Sequence, residues 1–163
     1  MSFKTIAFTA ISALVIVIDQ LTKLYIDRVM DLHTSITIID NFFNITYMRN
    51  KGAAFSFLSS FNYRLPFFIA VSVVATLVIL SVVYRLRPEQ KFATVSLALI
   101  FAGALGNLID RVRLGEVIDF LDAHWYEHHW PAFNVADSAI CIGVFLLAID
   151  MYLEEKRQKK QGP

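Results

Sequence analysis

Four aspartates lie close together in the second half of the chain, and acidic side chains of this kind can carry out hydrolysis. Asp110, Asp119, Asp122 and Asp137 fall within 28 positions. Asp119 and Asp137 have the most apolar neighbours of the four, in the sequences VIDF and FNVADS. Two carboxylates brought together in an apolar site cannot both ionise, so one of them keeps its proton. Such a pair can act as base and acid on one water molecule.

The same aspartates also have a purely structural interpretation. Asn134, Asp137 and Ser138 are all residue types that favour the start of a helix, so Asp137 is also a candidate helix cap. Asp119 is then an ordinary acidic residue in a loop. Closeness in sequence does not establish closeness in space, so the residues alone leave both interpretations open.

Residues 124–128, with the sequence HWYEH, match the H-x-x-E-H pattern of a class of zinc hydrolases. That chemistry needs both histidines on one helical face and a further ligand. The segment is short and contains aromatic residues, and Trp130 and Phe133 follow just after it. We therefore favour anchoring at a membrane interface and expect no metal. Cys141 is predicted to pack as a small apolar residue.

The composition places these residues in a membrane protein. Of the 163 residues, 56% are hydrophobic and 18% are charged, and the mean hydropathy is +0.55. A soluble domain is normally closer to about one quarter charged. The net charge is only +1, so no basic excess points to nucleic acid, and a single cysteine excludes a disulfide scaffold.

Four apolar segments are long enough to cross a bilayer, which needs about 20 residues. We predict spans at residues 6–28, 65–84, 92–108 and 135–153, with outer loops at 29–64 and 109–134. The first segment is also compatible with a signal peptide, but no small-residue cleavage site follows it, so we expect it to be retained.

The orientation of the spans follows from the basic residues near their ends. These concentrate at 1–4, 85–91 and 154–163, so we predict that both termini are cytoplasmic and that the two longer loops face outward. Residues 34–47 are rich in β-branched and aromatic side chains, which predicts short strands. The predicted fold is an all-α membrane protein, a single domain over 1–163. It is a four-transmembrane-helix bundle with a small extracytoplasmic antiparallel β-sheet.

Ionisable residues interrupt the second half of the first span, where such groups have either a partner or a function. Asp19, Lys23 and Asp27 are spaced by four and share one helical face, so we predict a structural ladder of ion pairs. An acidic ion path through a small channel or transporter is the alternative class. Small residues spaced by four in the last two spans predict close helix packing; they are Ala98, Ala102 and Gly106, and Ala139 and Gly143.

Five sequence blocks are specific when they are taken together and in order. They are DQLTK at 19–23, NIT at 44–46 with RNKGAAF at 49–55, GALGNLIDR at 103–111, VIDF at 117–120 and FNVADS at 133–138. In this order, and with four predicted spans, they resemble the bacterial lipoprotein signal peptidase family (signal peptidase II).

The resemblance implies an aspartic endopeptidase of the inner membrane whose active site faces outward. Its substrate is a diacylglyceryl-modified prolipoprotein, which is cut just before the lipidated cysteine. By match to the family motifs, Asp119 and Asp137 are the catalytic pair, and Asp19 and Lys23 are structural polar residues of the bundle. The other matched residues bind substrate or shape the site; they are Asn50, Gly52, Asn107, Asp110, Arg111 and Asn134.

The expected partners follow from the same resemblance. We expect the prolipoprotein and membrane lipid as partners, no cofactor, no metal, no nucleic acid, and a monomeric protein. We also expect the small-residue segment 52–54 to close over the substrate.

Overall fold

Four long helices dominate the structure, as the apolar segments predict. The computed structural model describes residues 3–52 and 62–161. The helices are α1 (Phe3–Val29), α2 (Arg64–Arg85), α3 (Lys91–Leu114) and α4 (Val135–Gln161). All four are long and apolar enough to cross a membrane, so the chain is a multi-pass membrane protein.

Helix α3 runs beyond the predicted third span. The prediction ends at residue 108, before the first charged residue, whereas the helix continues to Leu114. Asp110 is fully buried and pairs with Lys23, so the charge that ended the apolar segment is satisfied inside the protein. The helix stops at Gly115, whose φ of 75° is the left-handed conformation typical of a glycine at a helix end.

The same helix forms the centre of the bundle. It packs against α1, α2 and α4, and its Ala98 and Ala102 are completely buried. The close approach depends on glycine, because a Cβ added at Gly143 would lie 2.7 Å from the backbone oxygen of Ser96. The predicted packing through small residues is therefore confirmed.

Four antiparallel strands form a small sheet at one end of the bundle. They are β1 (Ser35–Ile39), β2 (Phe43–Asn50), β3 (Val117–Trp125) and β4 (His128–His129), and they pair in chain order. Strands β1 and β2 confirm the prediction for residues 34–47. Strands β3 and β4 lie in a segment predicted as loop, because two aspartates interrupt the apolar pattern of β3.

The sheet packs directly on the helix ends. A buried cluster joins Ile26 of α1 to Tyr47 of β2 and to Ile118 and Phe120 of β3. Only two residues separate the end of α3 from the start of β3. The last turns of α3, the first half of β3 and the start of α4 are therefore brought to one place.

Candidate active site

Asp119 is held on β3 by two asparagine side chains. It is only 3% exposed. Asn50 Nδ2, at the end of β2, donates to Oδ2 at 3.0 Å, and Asn134 Nδ2 donates to Oδ1 at 2.8 Å. Both carboxylate oxygens are therefore bound by neutral donors, which fix the orientation of the group without supplying a countercharge.

Asn134 also starts α4. Its Oδ1 accepts a hydrogen bond from the backbone N–H of Asp137 at 2.8 Å, which is the geometry of a helix N-cap. The interpretation of Asp137 as the cap is wrong, because Asn134 occupies that position and Asp137 lies in the first turn. The carboxylate of Asp137 is thereby left to face the cavity described below. One asparagine is hydrogen-bonded to both aspartates.

Asn107 connects Asp137 to the interior of the bundle. Its Nδ2 donates to Asp137 Oδ1 at 2.7 Å, and its Oδ1 accepts from Lys23 Nζ at 3.0 Å and from Asn134 Nδ2 at 3.2 Å. An ammonium can only donate, so the contact with Lys23 identifies the amide oxygen and requires the NH₂ group to face Asp137. The side-chain amides of Asn107 and Asn134 are thus hydrogen-bonded to each other, and each donates to one of the two candidate carboxylates.

A buried ion triad supports these amides. Lys23 is 1% exposed and pairs with Asp19 at 2.9 Å and with Asp110 at 3.0 Å, and both of those carboxylates are fully buried. Asp19 also accepts from the backbone N–H of Ala136, and Asp110 accepts from that of Ile118. The triad therefore ties α1 and α3 to the first turn of α4 and to β3, the elements that carry the two candidate carboxylates.

Asp27 does not extend this triad. It accepts hydrogen bonds from Arg49 Nη2 at 2.9 Å and from the hydroxyl of Tyr47, both on β2. The predicted ladder of ion pairs along α1 is therefore correct for Asp19 and Lys23 and wrong for Asp27. The physical reason is that the last turn of α1 contacts the sheet, which offers Asp27 other partners.

Arg111 joins α3 to the end of β2. Its Nη2 donates to the carbonyl of Gly52 at 3.3 Å, and its guanidinium carbon lies 5.0 Å from the ring centre of Phe68. The backbone N–H of Gly52 donates to Asn50 Oδ1 at 2.8 Å and so orients the Asn50 amide. In the segment predicted to close over the substrate, residues 53–54 lie outside the described residues.

A cavity of about 470 Å³, walled mostly by apolar side chains, opens onto these polar groups. The predicted site residues that line it are Asn50, Gly52, Asn107, Arg111, Asp119 and Asp137. The other predicted residues support those that line it, and they are Asp19, Lys23, Asp110 and Asn134. Trp130, Phe133 and Cys141 also line the cavity, although the sequence indicated only anchoring or packing for them. For Cys141, the sequence did contain a signal: its spacing of four from Asp137 places both residues on the same face of a helix.

Burial raises the pKa of Asp119 to about 7, and the nearby charge of Asp137 acts in the same direction. The hydrogen bonds from Asn50 and Asn134 and the charge of Lys23 act in the opposite direction. Near neutral pH this carboxyl is therefore protonated in roughly half of the molecules, and it can serve as a proton donor.

Asp122, the fourth aspartate of the group, binds a different set of residues on the sheet. It accepts hydrogen bonds from Asn44 Nδ2 at 2.9 Å and from His129 Nδ1 at 2.8 Å. Burial acts to raise the pKa of Asp122, but these hydrogen bonds outweigh it and hold the pKa below its usual range. Asp122 is thus an ionised structural residue of the sheet.

The H-x-x-E-H segment forms the hairpin between β3 and β4. His124 pairs with His129 across the hairpin, and their rings stack with centres 4.5 Å apart. The zinc-hydrolase motif requires both histidines on one helical face, and this segment is not helical. The conformation of this segment therefore does not fit the zinc-hydrolase motif.

The chain resembles known proteins over almost its whole length. The family model described as Signal peptidase (SPase) II matches residues 11–153. A lipoprotein signal peptidase from Geobacter metallireducens is 63% identical over 155 residues, covering 95% of this chain and 96% of that protein. One from Geobacter sulfurreducens is 65% identical over 151 residues, covering 93% and 94%. A solved structure of a bacterial membrane enzyme has a TM-score of 0.87 at 36% identity, covering 99% of this chain and 96% of that chain.

Replacing Lys23 with methionine keeps most of the side-chain length but leaves Asp19 and Asp110 buried without a countercharge. We expect the free energy of unfolding to fall by about 3–5 kcal/mol, the usual cost of breaking a buried ion pair from one side. Chemical denaturation in detergent micelles measures this change. Lys159→Met, which removes an exposed ammonium on α4, is the control. Equal stability of the two variants would contradict the importance of the triad.

Proposed function

The chain belongs to the signal peptidase II family, and we propose that it is an aspartic endopeptidase with Asp119 and Asp137 as its catalytic residues. Members of this family are membrane proteases that remove signal peptides from prolipoproteins. One observation carries the proposed mechanism: both carboxylates line one cavity, and Asn134 is hydrogen-bonded to both residues.

In the proposed reaction, a water molecule lies between the two carboxyl groups and the scissile carbonyl. Ionised Asp137 takes a proton from this water as the water oxygen attacks the carbonyl carbon. Protonated Asp119 donates its proton to the carbonyl oxygen, which gives a neutral tetrahedral diol. On collapse, Asp137 returns its proton to the departing nitrogen and Asp119 recovers a proton from the diol. The pair therefore ends in its starting state.

The proton is assigned to Asp119 because of its surroundings. Its pKa of about 7 means that Asp119 is mostly protonated below that pH. Asp137 lies at the start of α4, where the N-terminal end of the helix dipole favours a negative charge. The two carboxyl groups thus have different environments, which is the condition for distinct acid and base roles.

The proposed substrate is a prolipoprotein whose cysteine carries a diacylglyceryl group, cut just before that cysteine. Such a substrate remains in the bilayer, because each buried CH₂ group contributes about 0.8 kcal/mol. An apolar cavity wall on a membrane helix, with Ile140 and Ile142 next to the polar groups, suits a lipidated peptide. Arg111, Asn50 and Gly52 are proposed to hold the peptide beside the carboxylates.

We further propose a location in the bacterial inner membrane, with both termini cytoplasmic and the cavity facing outward. The distribution of basic residues supports this orientation. Lys4 Nζ also donates to the carbonyls of Val83 and Leu86, so the start of α1 and the α2–α3 connection lie at the end of the bundle opposite the sheet. The proposed enzyme is one integral membrane domain over 1–163 and a monomer. Its two carboxyl groups supply both acid and base, so the mechanism requires no metal or cofactor.

The substrate class is tested with the purified protein and two prolipoproteins that differ only in the diacylglyceryl group. We expect cleavage of the lipidated form alone, and mass spectrometry should find the lipidated cysteine as the new N-terminus. Cleavage of both forms, or of neither, would reject the proposed substrate.

Cleavage should persist in EDTA, and its loss there would favour the zinc-hydrolase interpretation.

Asp119→Asn and Asp137→Asn should each reduce kcat by roughly 10²–10⁴-fold, because each removes one of the two proton-transfer groups. Cleavage of the lipidated substrate is the measurement, and an unfolding midpoint close to that of the wild type confirms that the variants fold. Asp40→Asn changes an exposed aspartate in the β1–β2 turn and serves as the matched control. Near-normal cleavage by either site variant would refute the pair.

The pH dependence of kcat follows from the protonation of Asp119. Above a pH of about 7 this residue loses its proton, so the donor to the carbonyl oxygen is lost and kcat should fall as the pH rises. At low pH both carboxyls are protonated, the base is lost and kcat should fall again. A kcat that stays level from about pH 6 to about pH 8.5 would contradict the assignment.

A further inference from the structure

The pairing of β2 with β3 contains one irregularity, and it lies beside the site. Ile45 pairs with Leu121, but the next pair towards the site is Met48 with Asp119. Three steps along β2 therefore correspond to two steps along β3. Strand β2 contains one extra residue, which is a β-bulge at positions 46–47.

The bulge determines which side chains of β2 face the carboxylates. Beyond it, Arg49 pairs with Ile118 and Asn50 pairs with Val117, so Asn50 lies on the same face as Asp119 and Arg49 on the opposite face. A ladder without the extra residue would reverse these faces, turning Arg49 towards the site and Asn50 away from it. The hydrogen bond from Asn50 to Asp119 thus depends on the bulged register.

Three side chains, which we name the bulge clasp, hold this register against α1. The clasp consists of Asp27, Tyr47 and Arg49. Tyr47 is 3% exposed and donates its hydroxyl hydrogen to Asp27 Oδ1. Arg49 donates through Nε to the Tyr47 hydroxyl and through Nη2 to Asp27 Oδ1, each at 2.9 Å. One partner lies in the bulge and one beyond it, so the closed ring of hydrogen bonds spans the irregular pairs.

We propose that the bulge clasp is a positioning device for catalysis, which maintains the β2 register that presents Asn50 to Asp119. Among the described residues, its three members lie outside the cavity lining, so they act through Asn50 and not on the substrate. Asp27 and Arg49 are partly exposed, and an ion pair of that kind contributes little stability by itself. Its importance lies in the register. The inference rests on the proposed function, since it assigns a role within that reaction.

The first test is Tyr47→Phe in the purified full-length enzyme, assayed on the lipidated substrate. We expect kcat to fall roughly tenfold to a hundredfold, because a small displacement of a group beside the reacting atoms reduces the rate. KM should rise by a smaller factor than kcat falls, since the clasp does not contact substrate and reaches the peptide only through Asn50. The alkaline limb of the kcat profile should move to higher pH, because the Asn50 donor that lowers the pKa of Asp119 is displaced. Tyr25→Phe, at an exposed tyrosine of α1, is the matched control and should change neither constant.

A double-mutant cycle with Asn50→Ala separates positioning from a general loss of structure. If the clasp acts through Asn50, Tyr47→Phe lowers kcat by less than about twofold in the Asn50→Ala background. Rate losses that multiply, or a normal kcat in Tyr47→Phe alone, overturn the proposal. If Tyr47→Phe does not fold, Arg49→Lys replaces it in the same cycle, because lysine lacks the rigid, forked pair of donors through which the guanidinium binds Tyr47 and Asp27.

Failure of this proposal is distinguishable from failure of the proposed function. Wild-type cleavage that is lost in Asp119→Asn supports the function, whatever the result for Tyr47→Phe. In that case a normal Tyr47→Phe variant rejects the clasp alone. Cleavage that survives in Asp119→Asn rejects the proposed function and, with it, the catalytic role of the clasp.

Discussion

The ammonium of Lys23 is buried in an apolar helix bundle, where a charge without partners is strongly destabilising. Its three hydrogens have three acceptors, Asp19, Asp110 and Asn107, so the group is fully satisfied. Each acceptor makes a second contact further out, respectively with the backbone of α4, the backbone of β3 and the side chain of Asp137. The acceptors that balance the charge of Lys23 therefore also fix the positions of β3 and α4, the two elements that carry the candidate carboxylates.

The candidate carboxylates themselves are held by amides and not by cations. Asn50 and Asn134 donate to Asp119, and Asn107 donates to Asp137. A lysine or arginine in direct contact would strongly lower the pKa of Asp119, whereas neutral amides fix its position and leave the pKa near 7. The amides separate the charged triad from the site. This arrangement allows a fully paired ion triad to exist close to a carboxyl group that still exchanges a proton.

Much of this architecture could be predicted from local composition. Apolar length predicts the four helices, and the apolar neighbours of Asp119 and Asp137 distinguish the two aspartates that the structure brings to one cavity. The features that were missed depend on partners far along the chain. From the sequence alone, Asp110 indicates the end of an apolar segment, because its partner Lys23 lies on another helix. Asn134 is likewise only one of several possible caps, because its contacts with β3 cannot be seen in the sequence. The bulge in β2 has no signature in that strand, because it exists only relative to β3.

The division of the site along the chain has a consequence for how the molecule is made. Asp119, Asn50 and Asn107 all precede residue 134, whereas Asp137 belongs to α4, the last of the four helices. During synthesis α4 reaches the membrane after the others, so a chain with three inserted helices has one carboxylate of the proposed pair and not the second. Such a nascent chain cannot hydrolyse a peptide bond by the proposed mechanism. Under the proposed mechanism, the order of translation thus keeps the enzyme inactive until its final insertion step.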